Sequence, residues 1–321
     1  MSKKFKKFLK ISIPLFLGIF LVWYSLQSST SQERTSLWQS IVDANKFWIA
    51  VSFILGTLSH LSRAYRWKFM LEPMGYTTRL PNRFMAVMVA YLANFGIPRS
   101  GEVLRAATLT TYEKVPFEKG FGTIISERVA DLLILMLIIG VALILQTDDL
   151  LGYLHDQNIK PVNTLLIFLG LTGIGVLGLT VIKRSNWGPF KKIKKLAKGL
   201  LEGMRSILNM RQKWAFIAHT IFIWSMYLCM FFVIKLSVPE TADATPGTIL
   251  AAFVVGSFAV SATNGGIGVY PLAVGGILMF FGIESHAAEA LGWISWATQT
   301  AVVLLFGGLS FILLPLFNNR K

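Results

Sequence analysis

The chain has 321 residues, of which 54% are hydrophobic and only 15% charged, and its formal net charge is +15. Soluble domains carry about 25% charged residues, so this composition, with a mean hydropathy of +0.59, excludes an ordinary soluble enzyme and indicates a polytopic membrane protein. The basic excess is explained by positive-inside topology and attraction to an anionic leaflet, and no nucleic-acid partner is expected.

The first apolar run follows a lysine-rich N-terminus. "MSKKFKKFLK" precedes residues 9–26, whose large and aromatic side chains continue to the end of the run without a small-residue cleavage site. We therefore predict a retained transmembrane helix, although an uncleaved signal anchor has the same pattern. Because about 20 apolar residues cross a bilayer, further full spans are predicted at 47–69, 127–146, 162–182, 214–236 and 291–314.

Charges in the linkers orient these spans. The linker 27–46 is neutral and 147–161 is acidic, whereas 63–83 and 183–213 are basic. The positive-inside rule then places the N- and C-termini in the cytoplasm, for a protein integral to the inner membrane.

Two further apolar regions, 82–112 and 248–282, are interrupted by Gly, Pro and Asn. The linker charges agree only if each region returns to the side it entered, or crosses twice as short helices. The first region would open from the cytoplasmic side and the second from the opposite side. Interrupted segments in matching positions of two halves indicate a transporter's binding site. The fragments "NFGI" (Asn94–Ile97) and "NGGI" (Asn264–Ile267) suggest an inverted repeat, with chance similarity as the alternative.

The basic linker contains apolar residues at helical spacing. The stretch "PFKKIKKLAKGLLEGMRSIL" predicts a cytoplasmic amphipathic surface helix at 189–210, lying on the inner membrane face. A lipid-surface anchor is favoured over a specific headgroup sensor.

The stretch "LANFGIPRSGEVLRA" (92–106) contains residues that a buried membrane segment avoids. Pro98 cannot continue a helix, and Gly96 and Gly101 permit a tight return. Non-helical backbone at membrane depth is tolerated only where protein buries it or it lines a water-filled cavity.

Charged residues follow this break. A helix restarting near Glu102 would direct its N-terminal N–H groups at the break. Arg99 and Arg105 would add positive charge, and together these groups predict an anion site suited to phosphate. Glu102 could tune that charge by pairing with either arginine. The alternative is an ordinary cytoplasmic loop with Arg99 facing water.

The motif "SERVAD" begins the predicted 127–146 span. Glu127 and Asp131 are four residues apart and share a helix face, while Arg128 and Asp131 can pair at a spacing of three. Ionisable residues within a span usually face a cavity or each other, so a single polar site shared with 92–106 is predicted. Snorkelling of these residues to the interface is the alternative.

The second break lies within "SATNGGIGVYPLAVGG". Gly265, Gly266 and Gly268 permit close backbone approach to a ligand, and Asn264 offers a neutral polar contact. Packing of helices through small residues is the alternative.

No pattern of a metal centre, cofactor site or hydrolase is present. The single cysteine, Cys229, lies in an apolar run and excludes a disulfide framework. The four histidines lack metal-binding spacing, and neither a P-loop nor a nucleophile elbow occurs. No cofactor or metal is predicted, and a transporter is favoured over an enzyme.

With these motifs in view, the chain resembles the lysylphosphatidylglycerol synthetase transmembrane-region family, also called flippase-like or UPF0104 membrane proteins. The resemblance covers nearly the whole chain and rests on "NFGIPRSGEVLRA", "ERVAD" and a late Gly-Gly-x-Gly. It implies one flippase-like transmembrane domain over 1–321, with anionic, aminoacylated or polyprenyl-linked membrane lipids as partners. The positions carried over from the family are Asn94, Arg99, Gly101, Glu102, Arg105, Glu127, Arg128 and Asp131.

Two departures from the family pattern matter. No soluble aminoacyltransferase domain follows Lys321, so lipid aminoacylation is not expected. The acidic residue that often follows the family's Gly-Gly-x-Gly is Pro271 here, which argues against a charged role for the second break.

The sequence thus predicts an all-α polytopic membrane protein with about six full transmembrane helices and two opposed broken or re-entrant hairpins, meeting near the bilayer centre. The predicted function is passive or ion-coupled translocation of an anionic or modified phospholipid or a polyprenyl-linked lipid. A membrane-embedded transferase with a lipid-linked donor, or a non-transporting scaffold, is the alternative. The predicted substrate-binding residues are Asn94, Arg99, Glu102, Arg105, Glu127, Arg128 and Asp131. The predicted backbone-break residues are Gly96, Pro98, Gly101, Asn264, Gly265, Gly266 and Gly268.

Overall fold

A computed structural model describes the chain at residues 16, 18–25, 27, 30–97, 100–147 and 207–319. Within these residues all regular secondary structure is helical, which confirms the predicted all-α class. Residues 16, 18–25 and 27 are helical. The helices with described bounds are α1 (Ser31–Asp43), α2 (Lys46–Arg66), α3 (Lys68–Leu71), α4 (Leu80–Gly96), α5 (Ser100–Glu113), α6 (Phe117–Leu145), α7 (Lys213–Ile234), α8 (Pro246–Ala262), α9 (Val269–Phe280) and α10 (Ser285–Asn318). Short 3-10 turns occupy Glu72–Met74, Lys235–Ser237 and Pro239–Thr241.

Four helical stretches of the described part are long and apolar enough to cross a membrane: Lys46–Met74, Phe117–Leu145, Lys213–Ser237 and Ser285–Asn318. They coincide with four of the predicted spans. The predicted span 162–182 and most of the predicted surface helix 189–210 lie outside the described residues. The total number of spans therefore stays a prediction.

Helix α6 begins earlier than its apolar run. The predicted span starts at Glu127, but the helix starts at Phe117. Its first turns are too polar for hydropathy to identify them as part of a membrane span, yet Gly120, Thr123 and Ile124 are buried. This spacing of three and four residues places one face of the early turns in the core, so packing extends the helix.

Both interrupted regions form pairs of short helices. Helices α4 and α5, of 17 and 14 residues, flank the first break, and α8 and α9, of 17 and 12 residues, flank the second. Each is shorter than the roughly 20 residues of a full crossing. The first pair packs closely, because a methyl group on Gly101 would lie 2.2 Å from the carbonyl oxygen of Ala90.

The tips of the two pairs touch. The ring of Phe95, at the end of α4, lies against Gly265 in the second break, where a methyl group would come within 2.5 Å of the ring. Gly265 has a φ of +66°, which an L side chain rarely adopts. Trp296 of α10 fixes the same turn by donating its indole N–H to the carbonyl oxygen of Gly265 at 2.9 Å.

Two of the apolar cores in the described part of the chain lie beside these hairpins. The core under the second hairpin joins α8, α9 and α10 through Ile249, Val274, Leu278, Leu291 and Ile294. The other core joins α3, α5, α6 and α7 through Phe69, Leu71, Leu109, Ile124 and Phe216. The charged residues of the chain's middle section lie beside this second core.

Candidate functional site

The charged residues of "SERVAD" lie near the middle of α6, which has 29 residues. Glu127 is 1% exposed and Asp131 is 7% exposed. Snorkelling to the interface, the alternative for these carboxylates, is therefore wrong for both of them. As the sequence predicted, Glu127 and Asp131 share one face of the helix.

That face contacts two arginines of α2, Arg63 and Arg66, which were not among the predicted site residues. Arg63 donates to Oε1 of Glu127 at 2.8 Å and to Oδ2 of Asp131 at 2.6 Å. Arg66 lies 2.8 Å from Oε1 of Glu127 and 3.1 Å from Oδ1 of Asp131. Their spacing of three residues beside an apolar run was a usable signal, because it places both guanidinium groups on one helix face.

A third arginine comes from α5. Arg105 donates to Oε2 of Glu127 at 2.9 Å, and its guanidinium carbon lies 3.9 Å from the centre of the Trp67 ring. The indole of Trp67 is held in turn by a 2.8 Å hydrogen bond to Thr123. Since Arg105 is only 3% exposed, it holds helices together in this conformation, and its predicted role in binding phosphate stays a prediction.

Helix α7 completes this arrangement. Thr220 accepts a 2.7 Å hydrogen bond from Arg66, and Phe216 lies under the same guanidinium at 5.0 Å. Trp224 donates its indole N–H to Asp131 at 3.4 Å. The buried ion cluster, as we name Arg63, Arg66, Arg105, Glu127 and Asp131, therefore joins α2, α5, α6 and α7.

Because the cluster is buried, breaking its ion pairs strongly destabilises the fold. Its three guanidinium groups and two carboxylates leave one positive charge in excess. Loss of either carboxylate therefore leaves buried guanidinium groups without their partner, which costs about 3–5 kcal/mol. The cluster therefore fixes the relative positions of four helices.

Arg128 and Glu102 form a separate and more accessible pair. They lie 3.1 Å apart, and their side chains are 44% and 25% exposed. Arg128 faces Glu102 and not Asp131, so the i,i+3 pair that the spacing allowed does not form. One carboxylate oxygen of Glu102 is buried without a hydrogen-bond partner.

This pair lies at a small cleft between the first hairpin and α6. The hairpin cleft, as we name it, is lined by Val87, Ala90, Tyr91, Asn94, Gly101, Glu102, Arg105 and Arg128. Within it, Arg105 is buried and paired, whereas Arg128 exposes nearly half of its side chain. Arg128 is thus the cleft cation that a ligand can reach.

The side chain of Asn94 forms a hydrogen bond across the first break at the same cleft. Its Oδ1 accepts from the backbone N–H of Gly101 at 2.8 Å, so the side chain bridges the first break and caps the start of α5. Gly96 ends α4. Pro98 and Arg99, predicted to make the break and to bind the anion, lie outside the described residues.

The second break lies apart from the cleft's lining residues and reaches the first hairpin through Phe95. Asn264 is 1% exposed, and neither polar atom of its amide has a hydrogen-bond partner. Gly266 and Gly268 have φ values of +78° and +70°. The two acid–arginine motifs meet, as the sequence predicted, through the pairs Arg105–Glu127 and Glu102–Arg128. Their polar site has a buried part, the ion cluster, and an accessible part, the hairpin cleft, with Arg105 in both.

The described part of the chain holds no group of three or more His, Cys, Asp or Glu side chains placed to bind a metal ion.

Comparison with known proteins gives a family model that matches most of the chain and curated relatives that match part of it. The family model described as the lysylphosphatidylglycerol synthase TM region matches residues 11–307. A UPF0104 membrane protein of Methanocaldococcus jannaschii is 31% identical over 94 residues, which are 28% of this chain and 28% of that protein. The glycosyltransferase AglD of Haloferax volcanii is 27% identical over 103 residues, which are 32% of this chain and 16% of that protein. The chain thus covers less than a third of either curated relative. No solved structure matches it significantly.

Proposed function

Because the chain belongs to the lysylphosphatidylglycerol synthase TM region family, we propose that it is a flippase-like transporter. Its substrate is an anionic or modified phospholipid, or a polyprenyl-linked lipid, and it works in the cytoplasmic membrane with both termini in the cytoplasm. The first hairpin then opens toward the cytoplasm and the second toward the opposite side, as the basic linkers indicate.

The observation that carries the proposal is the contrast between two ion pairs at neighbouring positions of α6. Glu127 is buried and bonded to arginines of two other helices. Arg128, the next residue, pairs with Glu102 while remaining 44% exposed. A half-exposed pair is worth about 0–1 kcal/mol, so a phosphate can replace the carboxylate of Glu102 at low cost.

Arginine is well suited to that exchange. Its planar guanidinium binds phosphate through two parallel hydrogen bonds. A lipid phosphate that binds Arg128 displaces the carboxylate of Glu102, and this carboxylate pairs with Arg128 again when the lipid leaves. A site that must release its substrate benefits from such a competing internal anion, because no bare cation is left behind.

The surrounding structure gives the proposed site a rigid frame. The buried ion cluster holds α2, α5, α6 and α7 together, so Arg128 stands on a fixed frame. The two breaks touch at Phe95 and Gly265, which joins the tips of the two short-helix pairs. A lipid headgroup passing Arg128 would therefore meet the second break next.

The test is transport by the purified full chain in vesicles. Headgroup-labelled phosphatidylglycerol and phosphatidylcholine are compared, and a membrane-impermeant quencher reports the label on each leaflet. We expect faster transfer of the anionic lipid than in protein-free vesicles and little transfer of the zwitterionic one. Equal rates in protein-containing and protein-free vesicles would contradict the proposal.

A membrane-embedded transferase is the second proposal, supported by the similarity to a glycosyltransferase. Glu102 is the acid that such a reaction would use, because one of its carboxylate oxygens has no hydrogen-bond partner. Product formed from a lipid-linked sugar, and lost in Glu102→Gln, would favour this function over transport.

A further inference from the structure

The amide of Asn264 is the clearest unpaired polar group at the second break. The residue is 1% exposed, and both Oδ1 and Nδ2 are buried without a hydrogen-bond partner. Buried side-chain amides in native proteins are almost always paired, and an orphaned one indicates a bound water, an ion or stored strain. This amide therefore requires an explanation.

The asparagine near the first break is paired, in contrast to Asn264. Asn94 accepts from the N–H of Gly101, seven residues later, at 2.8 Å. The residue seven positions after Asn264 is Pro271, and proline has no backbone N–H to donate. Asn94 lies within the last turns of α4, whereas Asn264 lies beyond the end of α8, so the two asparagines hold different places in their hairpins, and Asn264 has no partner seven residues later.

The backbone carbonyl groups at the end of α8 are close to Asn264 in the sequence. The helix ends at Ala262, and its C-cap residue Thr263 is extended. The hydroxyl of Thr263 donates to the carbonyl of Ala259 at 2.7 Å, and the carbonyls of Val260, Ser261 and Ala262 have no donor in the described structure. Such carbonyl groups carry a partial negative charge. The carbonyl of Gly265 already accepts from Trp296, and that of Gly266 accepts from Tyr270, so the end of α8 provides the remaining acceptors.

We infer that the end of α8 and the side-chain oxygen Oδ1 of Asn264 bind an alkali cation, Na⁺ or K⁺. Neutral oxygens and a helix C-terminus match a single positive charge, and the stretch from Ser261 to Gly276 contains no carboxylate that would favour a divalent ion. Unwound helix ends in transporters coordinate Na⁺ with the same groups. An ion about the size of a water molecule also suits an amide that lipid headgroups cannot reach.

The role of this ion rests on the proposed transport function. Gly265 follows Asn264 directly and touches Phe95, which lies next to Asn94 at the hairpin cleft. An ion that fixes the turn at Asn264 therefore acts on the contact between the two hairpins. That contact would couple cation binding to lipid movement.

The binding test uses the full-length protein in detergent. Its thermal unfolding midpoint is measured in NaCl, in KCl and in N-methylglucamine chloride at one ionic strength. A ligand that binds only the folded state raises the midpoint in a saturable manner. We expect one alkali cation to raise it by several degrees relative to N-methylglucamine, and the more effective salt identifies the ion.

Two substitutions at Asn264 localise the effect. Asn264→Leu removes both polar atoms and should abolish the difference between salts, whereas Asn264→Asp adds a carboxylate and should lower the half-saturating cation concentration about tenfold. If the leucine variant fails to fold, the aspartate variant alone still decides the question. The matched control is Asn94→Ala, which should lower the midpoint equally in all salts.

The outcomes separate this inference from the transport proposal. A cation-dependent midpoint that Asn264→Leu removes supports the site even if no lipid is transported. A midpoint that is the same in all three salts, or a difference that persists in Asn264→Leu, overturns the site even if lipid is transported.

Discussion

The ring of Phe95 fills the space that a side chain at position 265 would need. The closest ring carbon lies 2.5 Å from where a Cβ on Gly265 would stand. Phe95 lies at the end of α4, just before the first break, and Gly265 lies within the second break, so their contact is where the two interrupted regions meet. The geometry of this junction depends on a large ring on one side and no side chain on the other.

A double-mutant cycle tests this junction. Gly265→Ala should lower the free energy of unfolding through two effects, the clash with the ring and a strained φ of +66°, the latter costing about 1–2 kcal/mol. Phe95→Ala in the same chain should recover the part due to the clash. Thermal unfolding of the two single variants and the double variant measures the coupling. Additive losses would show that the two residues do not share this contact.

The buried ion cluster should be essential for stability. Glu127→Ala removes the partner of three arginines that are almost fully buried, and the expected loss is about 3–5 kcal/mol. Glu118→Ala, on an exposed face of the first turn of the same helix, should change stability little. Size-exclusion profiles and unfolding midpoints check both variants. A Glu127→Ala protein as stable as the Glu118→Ala control would contradict the assigned role.

Asn94 should act through its acceptor oxygen alone. Asn94→Ala removes the hydrogen bond to Gly101 and should cost about 0.5–2 kcal/mol, as loss of a helix cap does. Asn94→Asp keeps an acceptor at the same place and should retain most of the stability. Comparison of the two unfolding midpoints is the measurement. Equal losses in both variants would mean that the amide nitrogen matters instead.

The sequence was informative about architecture because its signals are local. Uncharged apolar runs predicted the long helices, and Gly, Pro and Asn predicted both interruptions, which follow the helix ends at Gly96 and Ala262. The start of α6 was missed, because polar turns beyond the apolar run are helical through packing of one face, which hydropathy does not measure.

The pairing of charges could not be predicted because it depends on distant helices. Nothing near Arg63 in sequence indicates that it meets Glu127 and Asp131. The local spacing rule instead paired Arg128 with Asp131, whereas the fold turns Arg128 toward Glu102 on the facing helix. Assigning accessible and buried arginines requires the three-dimensional arrangement.

Arg128 should matter for transport far more than for stability. The pair with Glu102 is partly exposed, so Arg128→Gln should cost at most about 1 kcal/mol. Removing the guanidinium, however, removes the proposed phosphate ligand. Lys119→Gln is the matched control, because it removes an exposed basic residue from the same helix, α6.

The most direct test of the account is therefore the transfer rate of labelled phosphatidylglycerol in vesicles that contain either Arg128→Gln or Lys119→Gln protein at equal protein density. The unfolding midpoints of both variants are measured first, to show that both are folded. The account predicts a rate near that of protein-free vesicles for Arg128→Gln and a rate near that of the unsubstituted chain for Lys119→Gln. Full transfer by a folded Arg128→Gln protein would contradict it.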